Sequence, residues 1–148
     1  MALTNGQIPI LANVLNSGVA ILTGTTTSTV GVDTFGFPAY TAGTAGGRVY
    51  SVMASSTGIA SNIFTYILRG GTTVLPLGLT PVAINAGNTS TTRNIDFLDG
   101  VNITGLPQDN TGKRYIPMMP NDVLKFSSLA SLTTFRVIIT CHGADYQA

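Results

Sequence analysis

Short apolar runs separated by glycine and proline recur along the chain, and the last of them has the clearest pattern. Between 133 and 142, residues of similar character repeat at every second position. Such a period of two places successive side chains on opposite faces of a β-strand. The predicted buried face carries Phe135, Val137, Ile139 and Cys141, and the other face carries Thr134, Arg136, Ile138, Thr140 and His142.

A second alternating run spans 48–55, in the middle of the chain. Its period predicts a strand with Val49, Ser51 and Met53 on one face and with Tyr50 and Val52 on the other. The stretch before it, 35–47, is rich in glycine and predicts a loop that crosses from one sheet to another.

A hairpin is predicted directly after this strand. The run 63–69 is β-branched or aromatic at nearly every position, which is typical of a strand covered on both faces. Gly70-Gly71 separates it from 72–77, and a glycine pair between two such runs is typical of a tight turn with positive φ. Pro76 and Pro81 lack a backbone N–H, so we expect them at a sheet edge, a bulge or a strand start.

The remaining runs complete an all-β chain. Further short strands are predicted at 19–23, 81–85, 93–98, 115–118 and 123–127. About eight short strands with glycine and proline turns predict a single-domain antiparallel β-sandwich or jelly roll. Residues 1–16 have neither period and are predicted to form an N-terminal arm, with one short helical turn at 11–15. The sandwich domain is then predicted to span 17–148.

Composition narrows the function classes. Only 9% of the 148 residues are charged, the formal net charge is +1, and every acidic residue is Asp. A near-neutral chain offers no basic field for a phosphate backbone, so nucleic-acid binding is not expected. The N-terminal region lacks the basic residues of a signal peptide, and no apolar run is long enough for a transmembrane helix. We expect synthesis in a host cytoplasm without a signal peptide, and no membrane partner.

The sparse charge also predicts a covered surface. A folded monomer of this size exposes roughly 7,000 Å², so its ionised side chains would average about one per 550 Å². Surfaces that stay in water usually carry more charge than this. One hypothesis is a monomer kept soluble by hydroxyl and amide groups. The favoured hypothesis is that copies of the chain, or a larger assembly, cover much of the surface.

The residue types for catalysis are few. Cys141 and His142 are neighbours on one predicted strand, so their side chains should point to opposite faces and form no catalytic dyad. His142 is the only histidine, and one cysteine with scattered Asp residues does not form a zinc site. We therefore predict no enzyme, no small-molecule substrate, and no catalytic, cofactor-binding or metal-binding residues.

Calcium is the one metal that the sequence leaves open. Asn94, Asp96 and Asp99 cluster, but their spacing differs from that of an EF-hand, and turn capping by Asp and Asn is the favoured interpretation. Whether a calcium ion binds near Asp96 and Asp99 stays open at this point.

Three arginines and a methionine pair complete the candidates. We expect Arg48, Arg69 and Arg93 to be hairpin-end residues that pair with Asp. The pair Met118-Met119 is either a soft interface patch or core filling.

Several phrases of the chain together resemble a known family. They are Arg-Val-Tyr-Ser-Val-Met-Ala-Ser at 48–55, Phe-Thr-Tyr-Ile-Leu-Arg-Gly-Gly at 64–71, Pro-Val-Ala-Ile-Asn-Ala-Gly at 81–87, Asn-Ile-Asp-Phe-Leu at 94–98, Gly-Leu-Pro-Gln-Asp-Asn at 105–110, Tyr-Ile-Pro at 115–117 and Asn-Asp-Val-Leu-Lys-Phe at 121–126. Their order resembles the head decoration, or cement, proteins of tailed bacteriophages, which have a β-sandwich or jelly-roll fold. The resemblance covers about 48–142.

The resemblance implies a structural virion protein without an active site. It would stand on the capsid exterior as a homotrimer and bridge subunits of the major capsid protein. An alternative is a phage tail or fibre domain that binds a host surface glycan. The absence of Trp disfavours this alternative, because sugar-binding clefts commonly use aromatic platforms.

Overall fold

The computed structural model describes residues 12–24, 36–58 and 60–147, and these form strands and loops without a helix. The strands are β1 (Ala12–Gly24), β2 (Phe37–Thr41), β3 (Gly47–Ser56), β4 (Ser61–Arg69), β5 (Thr73–Val82), β6 (Ile95–Asp96), β7 (Ile116–Met118), β8 (Val123–Ser128) and β9 (Leu132–Tyr146). No helix in these ranges is long and apolar enough to span a membrane.

The strands form two antiparallel sheets that pack face to face. One has the order β1-β9-β3-β6 with β7 also paired to β3, and the other has the order β2-β8-β4-β5. The pairs are nested along the chain, because β1 pairs with β9, β2 with β8, β3 with β6 and β7, and β4 with β5. This nesting is the connectivity of a jelly roll. The predicted all-β sandwich of about eight strands is confirmed.

The core lies between the two sheets. Alternate residues of the long strands point inward, which removes their apolar side chains from water at about 25 cal/mol per Å². The largest fully buried side chains of this core are Tyr40, Phe97, Phe126, Leu22, Ile63, Ile103, Ile116, Leu124, Leu132 and Ile139. Phe64 and Tyr66 are also fully buried, but they form a separate cluster with Leu68. Leucines, isoleucines and valines of both sheets thus exclude water between them.

Strand β9 has the predicted faces. Val137, Ile139 and Cys141 are fully buried, whereas His142 on the other face is exposed. Phe135 belongs to the predicted buried set but is 37% exposed, because it lies near the start of the strand where the sandwich ends.

The β4–β5 hairpin is also confirmed. Gly70 and Gly71 have φ of 62° and 76°, which L-residues with a Cβ rarely adopt. Both faces of β4 are buried from Ile63 to Leu68, as a continuous apolar run predicts. Pro76 and Pro81 lie in β5, which is the edge strand of its sheet and has a register shift beside Pro76.

The predicted faces of β3 are wrong. Val49 and Val52 are both fully buried, although an even alternation would put them on opposite faces. The pairing with β9 shifts between Val49 and Ser51, which is a β-bulge that inserts one extra residue. Beyond the bulge Ser51, Met53 and Ser55 face outward, and Val52 and Ala54 face the core.

The expected N-terminal boundary also changes. Strand β1 begins at Ala12, so the strand start expected at 19 is wrong. The short helical turn expected at 11–15 is also wrong for 12–15, which are extended. Residues 12–16 pair with the end of β9 and so continue the strand. Residues 1–11 of the predicted arm, which was expected to span 1–16, lie outside the described residues. Residues 25–35 lie outside them too.

Two smaller differences concern loops. The predicted crossing loop at 35–47 contains strand β2, after which the chain does cross from the four-stranded to the five-stranded sheet. The two short strands predicted at 72–77 and 81–85 form one strand, β5, because a bulge lets it continue past Pro76.

The face assignment of β9 makes a paired prediction. Ile139→Asp places an unpaired carboxyl group in the core, at a cost of several kcal/mol, which is comparable to the roughly 5–15 kcal/mol by which a domain of this kind is stable. We expect this variant not to fold, as judged by the absence of a cooperative melting transition in circular dichroism. Ile138→Asp, on the outer face one residue away, should melt cooperatively within a few degrees of the wild type. A cooperatively folded Ile139→Asp variant would show that the assigned faces are inverted.

Candidate interaction surface

The outer face of the five-stranded sheet exposes several apolar side chains. On β1, Leu15, Val19 and Ile21 are 89%, 54% and 48% exposed. Across the three strands, the register puts Val19, Thr140 and Met53 in one row and Ile21, Ile138 and Ser55 in an adjacent row. We call the outward side chains of β1, β9 and β3 the outer β1-β9-β3 face. Contiguous exposed apolar groups of this kind mark interaction sites in soluble proteins.

This face carries little charge. Strand β1 has no charged residue, and β3 has only Arg48. Strand β9 has Arg136 near its start, the exposed His142, and Asp145, whose side chain points inward. The rows between Arg48 and Arg136 hold aliphatic side chains, hydroxyl groups and one histidine. Interfaces that exclude water have the same depletion of charge at their centre.

An arginine surrounded by tyrosines lies at one end of the face. The Arg48 Nε–H donates to the Tyr146 hydroxyl at 2.8 Å, and its Nη1 donates to the Tyr50 hydroxyl at 3.4 Å. The guanidinium carbon lies 4.4 Å from the ring centre of Tyr115 and 5.7 Å from that of Tyr146. We call these four residues the Arg48 cluster.

The Arg48 cluster corrects one expectation and adds residues that the sequence did not indicate. Among the described residues, Arg48 contacts tyrosines and forms no salt bridge with an Asp, and the hydrogen bonds to Tyr50 and Tyr146 raise the pKa of its guanidinium further. Tyr115 and Tyr146 are far from Arg48 along the chain. They meet it because β7 and β9 both pair with β3 at its first residues. Only the strand register reveals this contact.

Arg69 does pair with Asp122, as expected. Its Nε and Nη2 donate to the two carboxylate oxygens at 2.9 and 2.7 Å, which joins the end of β4 to the turn before β8. Burial would raise the pKa of the Asp122 carboxyl. The hydrogen bonds from Arg69 and from the Met119 amide outweigh burial, so this pKa is lowered.

A second buried carboxylate braces the end of the sandwich. Asp145 accepts hydrogen bonds from the Tyr40 hydroxyl at 2.8 Å and from the Asn16 Nδ2 at 2.9 Å. Burial and the Asp145 carboxylate raise the pKa of Tyr40, so its hydroxyl stays protonated and donates. Strand β1 also lies close to β2 in this region. Gly18 makes this possible, because a Cβ there would collide with the Ala39 carbonyl oxygen.

The candidate calcium ligands act as turn caps. Asp96 Oδ1 accepts the Leu98 amide at 2.9 Å, and Asp99 Oδ1 accepts the Val101 and Asn102 amides at 2.8 and 3.0 Å. The turn-capping interpretation is therefore confirmed. Within 12–24, 36–58 and 60–147, no three His, Cys, Asp or Glu side chains group as metal ligands would.

The remaining candidates lie apart. Cys141 is buried, and burial raises the pKa of its thiol to about 12, whereas His142 on the opposite face is exposed. The expected separation of this pair is confirmed. Arg93 is exposed in a loop. Met118 is buried as core filling, while Met119 is 57% exposed.

Two shallow grooves lie at the surface. One, of about 440 Å³, lies beside the outer β1-β9-β3 face and is lined by Leu15, Asn16, Ser17, His142 and Gly143. The other, of about 540 Å³, is lined by Ala60, Ser61, Asn62, Pro81, Val82, Ala83, Leu129 and Ala130. Neither lining contains a carboxylate or a cysteine, and only the first contains a histidine.

The comparisons with known proteins return no match. No protein-family model, no curated protein and no solved structure matches this chain. Function must therefore be argued from the surface and the chemistry of its residues.

The Arg69–Asp122 pair predicts an acid-sensitive contribution to stability. Because the folded pKa of Asp122 is lowered, this contribution is present above the unfolded pKa and is lost as the pH falls through the folded pKa. Asp122→Asn should reduce the free energy of unfolding by roughly 1–3 kcal/mol at neutral pH, and this difference should shrink towards about pH 3.

Urea denaturation at both pH values measures this difference. Asp99→Asn, at an exposed carboxylate, serves as the control and should differ little from the wild type at either pH. An Asp122→Asn deficit that stays constant down to the acid end would contradict the assigned ion pair.

Proposed function

We propose that this chain is a structural virion protein that decorates and cements a bacteriophage capsid. In this function it binds the capsid exterior as a homotrimer and bridges major capsid protein subunits. The observation that carries the proposal is the outer β1-β9-β3 face, which combines exposed aliphatic side chains with almost no charge. The resemblance of 48–142 to cement proteins adds support.

Exposed side chains of β1 would contribute most of the binding energy. Val19 and Ile21 lie in adjacent rows and Leu15 lies two rows from Val19, and each is about half exposed or more. Burying a fully exposed aliphatic side chain stabilises a contact by roughly 1.5–3 kcal/mol, and a half-exposed one contributes about half of that, less the cost of association. A partner that covers the face therefore gains from three aliphatic side chains of one strand, which make no hydrogen bond with water.

Repetition strengthens such contacts. A trimer presents three copies of the face around one axis, and each bound copy raises the effective concentration of the next. Weak contacts repeated over a shell thereby give large total stabilisation. A low charge on the contact surface avoids repulsion between the many copies.

The Arg48 cluster favours a second candidate, a tail or fibre domain that binds a host glycan. Tyr50 and Tyr115 have ring centres 5.8 Å apart, and such rings can stack against sugars without Trp. Copy number per virion discriminates the two functions. A cement protein occurs in hundreds of copies and a tail tip in a few.

A binding experiment tests the cement function. Ile21→Lys puts a charge on the outer β1-β9-β3 face, and we expect it to reduce rebinding to shells stripped of the protein by about tenfold or more. The bound protein is measured by co-sedimentation. The matched control is Leu79→Lys, because Leu79 has similar exposure, 42%, but lies on β5 of the other sheet.

The two variants can be compared when both keep the wild-type melting temperature, because a loss of binding then does not reflect unfolding. Loss of binding in Ile21→Lys alone supports the proposal. Equal binding by both variants would show that another surface makes the contact. Light scattering of the free protein adds the oligomeric state, for which a trimer of the 15.3 kDa chain is expected and a strict monomer at micromolar concentration would argue against cementing.

A further inference from the structure

We propose that the Arg48 cluster is an anchor for a carboxylate, and that its ligand is an acidic side chain of the partner protein that covers the outer β1-β9-β3 face. The inference deepens the proposed function and rests on it, because it names the chemistry that the partner must present. It is carried by the geometry of a half-buried cation that has aromatic neighbours and, in the part of the chain that the structure describes, no carboxylate at salt-bridge distance.

Arg48 lacks a counter-charge among the described residues. Within the described ranges, Arg69–Asp122 is the one pair of side chains at salt-bridge distance, so no carboxylate there contacts Arg48. Asp109 lies near enough to be influenced by the Arg48 charge. Its Oδ1, however, already accepts the Thr111 hydroxyl and the Thr111 and Lys113 amides. A half-buried guanidinium without an anion gains from one that a partner supplies.

Arg48 also has N–H donors to spare for a ligand. A guanidinium has five N–H groups in a rigid fork. The Tyr146 and Tyr50 hydroxyls accept two of them, which leaves three without a partner among the described residues. Two parallel N–H groups of this fork match the two oxygens of one carboxylate, and such charge-assisted bonds are about twice as strong as neutral ones.

The neighbouring tyrosines hold the Arg48 side chain in place. The ring centre of Tyr115 lies 4.4 Å from the guanidinium carbon, and the hydroxyls of Tyr50 and Tyr146 hold the fork through hydrogen bonds. An arginine held in this way loses less rotational freedom when it binds than a free arginine does. Arginine and tyrosine are also the residues that most often dominate binding energy at protein interfaces.

The position of the cluster favours a protein ligand over a sugar. Arg48 pairs with Ala144, which pairs with Leu15, so the cluster lies in the same row as the exposed Leu15. One row, which holds Ser17, His142 and Ser51, separates it from the rows of Val19 and Ile21 on the same face. A partner that covers the apolar rows therefore reaches Arg48 with the same surface. A carboxylate there would be shielded from water by aliphatic and aromatic groups, where an ion pair is stronger than in bulk water.

The test uses a carboxylate probe and needs no shell. The chain has five tyrosines and no Trp, so tyrosine fluorescence reports strongly on the cluster, which holds three of the five. We expect N-acetyl-L-glutamate to give a saturable change with a dissociation constant of roughly 1–20 mM at constant ionic strength. N-acetyl-L-glutamine, its neutral analogue, should give no saturable change. The NMR signal of the Arg48 Nε–H provides a second readout.

Variants locate the effect. Arg48→Gln should abolish the saturable response, and Arg48→Lys, which keeps the charge but not the fork, should weaken binding about tenfold or more. Arg93→Gln removes the same charge from an exposed loop and should leave binding unchanged. A melting curve for each variant verifies that it folds. No saturation by the glutamate probe, or an equal response in Arg48→Gln, would overturn the proposal.

A sugar acid distinguishes the other ligand class. N-acetylneuraminate is titrated beside its neutral counterpart N-acetylglucosamine. If the sugar acid binds more than about tenfold tighter than N-acetyl-L-glutamate, the site recognises an acidic glycan and the assignment to a protein side chain is wrong. If the glutamate probe binds but the wild-type protein does not rebind stripped shells, the carboxylate site stands while the cement function fails.

Discussion

Pairing of β1 with β9 is the constraint on which the rest of the structure depends. It joins the first described strand to the last and places β9 in the centre of its sheet, between β1 and β3. In that position Ile139 and Cys141 are buried under the opposite sheet, and Ile138 is turned outward. A slip of one residue would reverse these faces, so the buried face fixes the register. The other nested pairs of the jelly roll follow inside this outermost one.

The same pairing creates the outer β1-β9-β3 face. Strand β1 is covered on its inner side by the core, and its outer side carries aliphatic residues that a solvent-facing strand would usually replace with polar ones. The sparse charge of the chain is therefore not spread evenly. Arg69 and Asp122 are used in a pair, Asp145 braces the sandwich from inside, and the centre of the face is left uncharged. We propose that a partner covers this face, in preference to the alternative of a monomer kept soluble by hydroxyl groups.

The sequence allowed prediction of features that depend on local pattern. The faces of β9, the glycine hairpin at Gly70-Gly71 and the edge position of Pro76 follow from periodicity and backbone chemistry, and each is confirmed. The faces of β3 were not predictable in this way. A bulge adds one residue without any glycine or proline to mark it, and it moves every later side chain to the other face.

The candidate site likewise has one part that the sequence predicts and one part that it does not. The capping role of Asp96 and Asp99 follows from neighbours in the sequence. Contacts between distant residues depend on register, so the Arg48 cluster could not be inferred from the chain alone. The exposed apolar rows could not be predicted from the sequence either, because alternation along a strand does not show which outward side chains remain exposed. Composition leads to the expectation of a covered surface, and we propose that the outer β1-β9-β3 face is that surface.

Oxidative footprinting of methionines measures the covered face most directly. Met53 lies on the outer β1-β9-β3 face, and Met119 is exposed in a loop outside these strands. The account predicts that Met53 is oxidised much more slowly in the assembled particle than in the free, dissociated protein. Met119 supplies the reference for the overall dose of oxidant. Equal oxidation of Met53 in the free protein and in the particle would contradict the claim that this face is where the chain makes its contact.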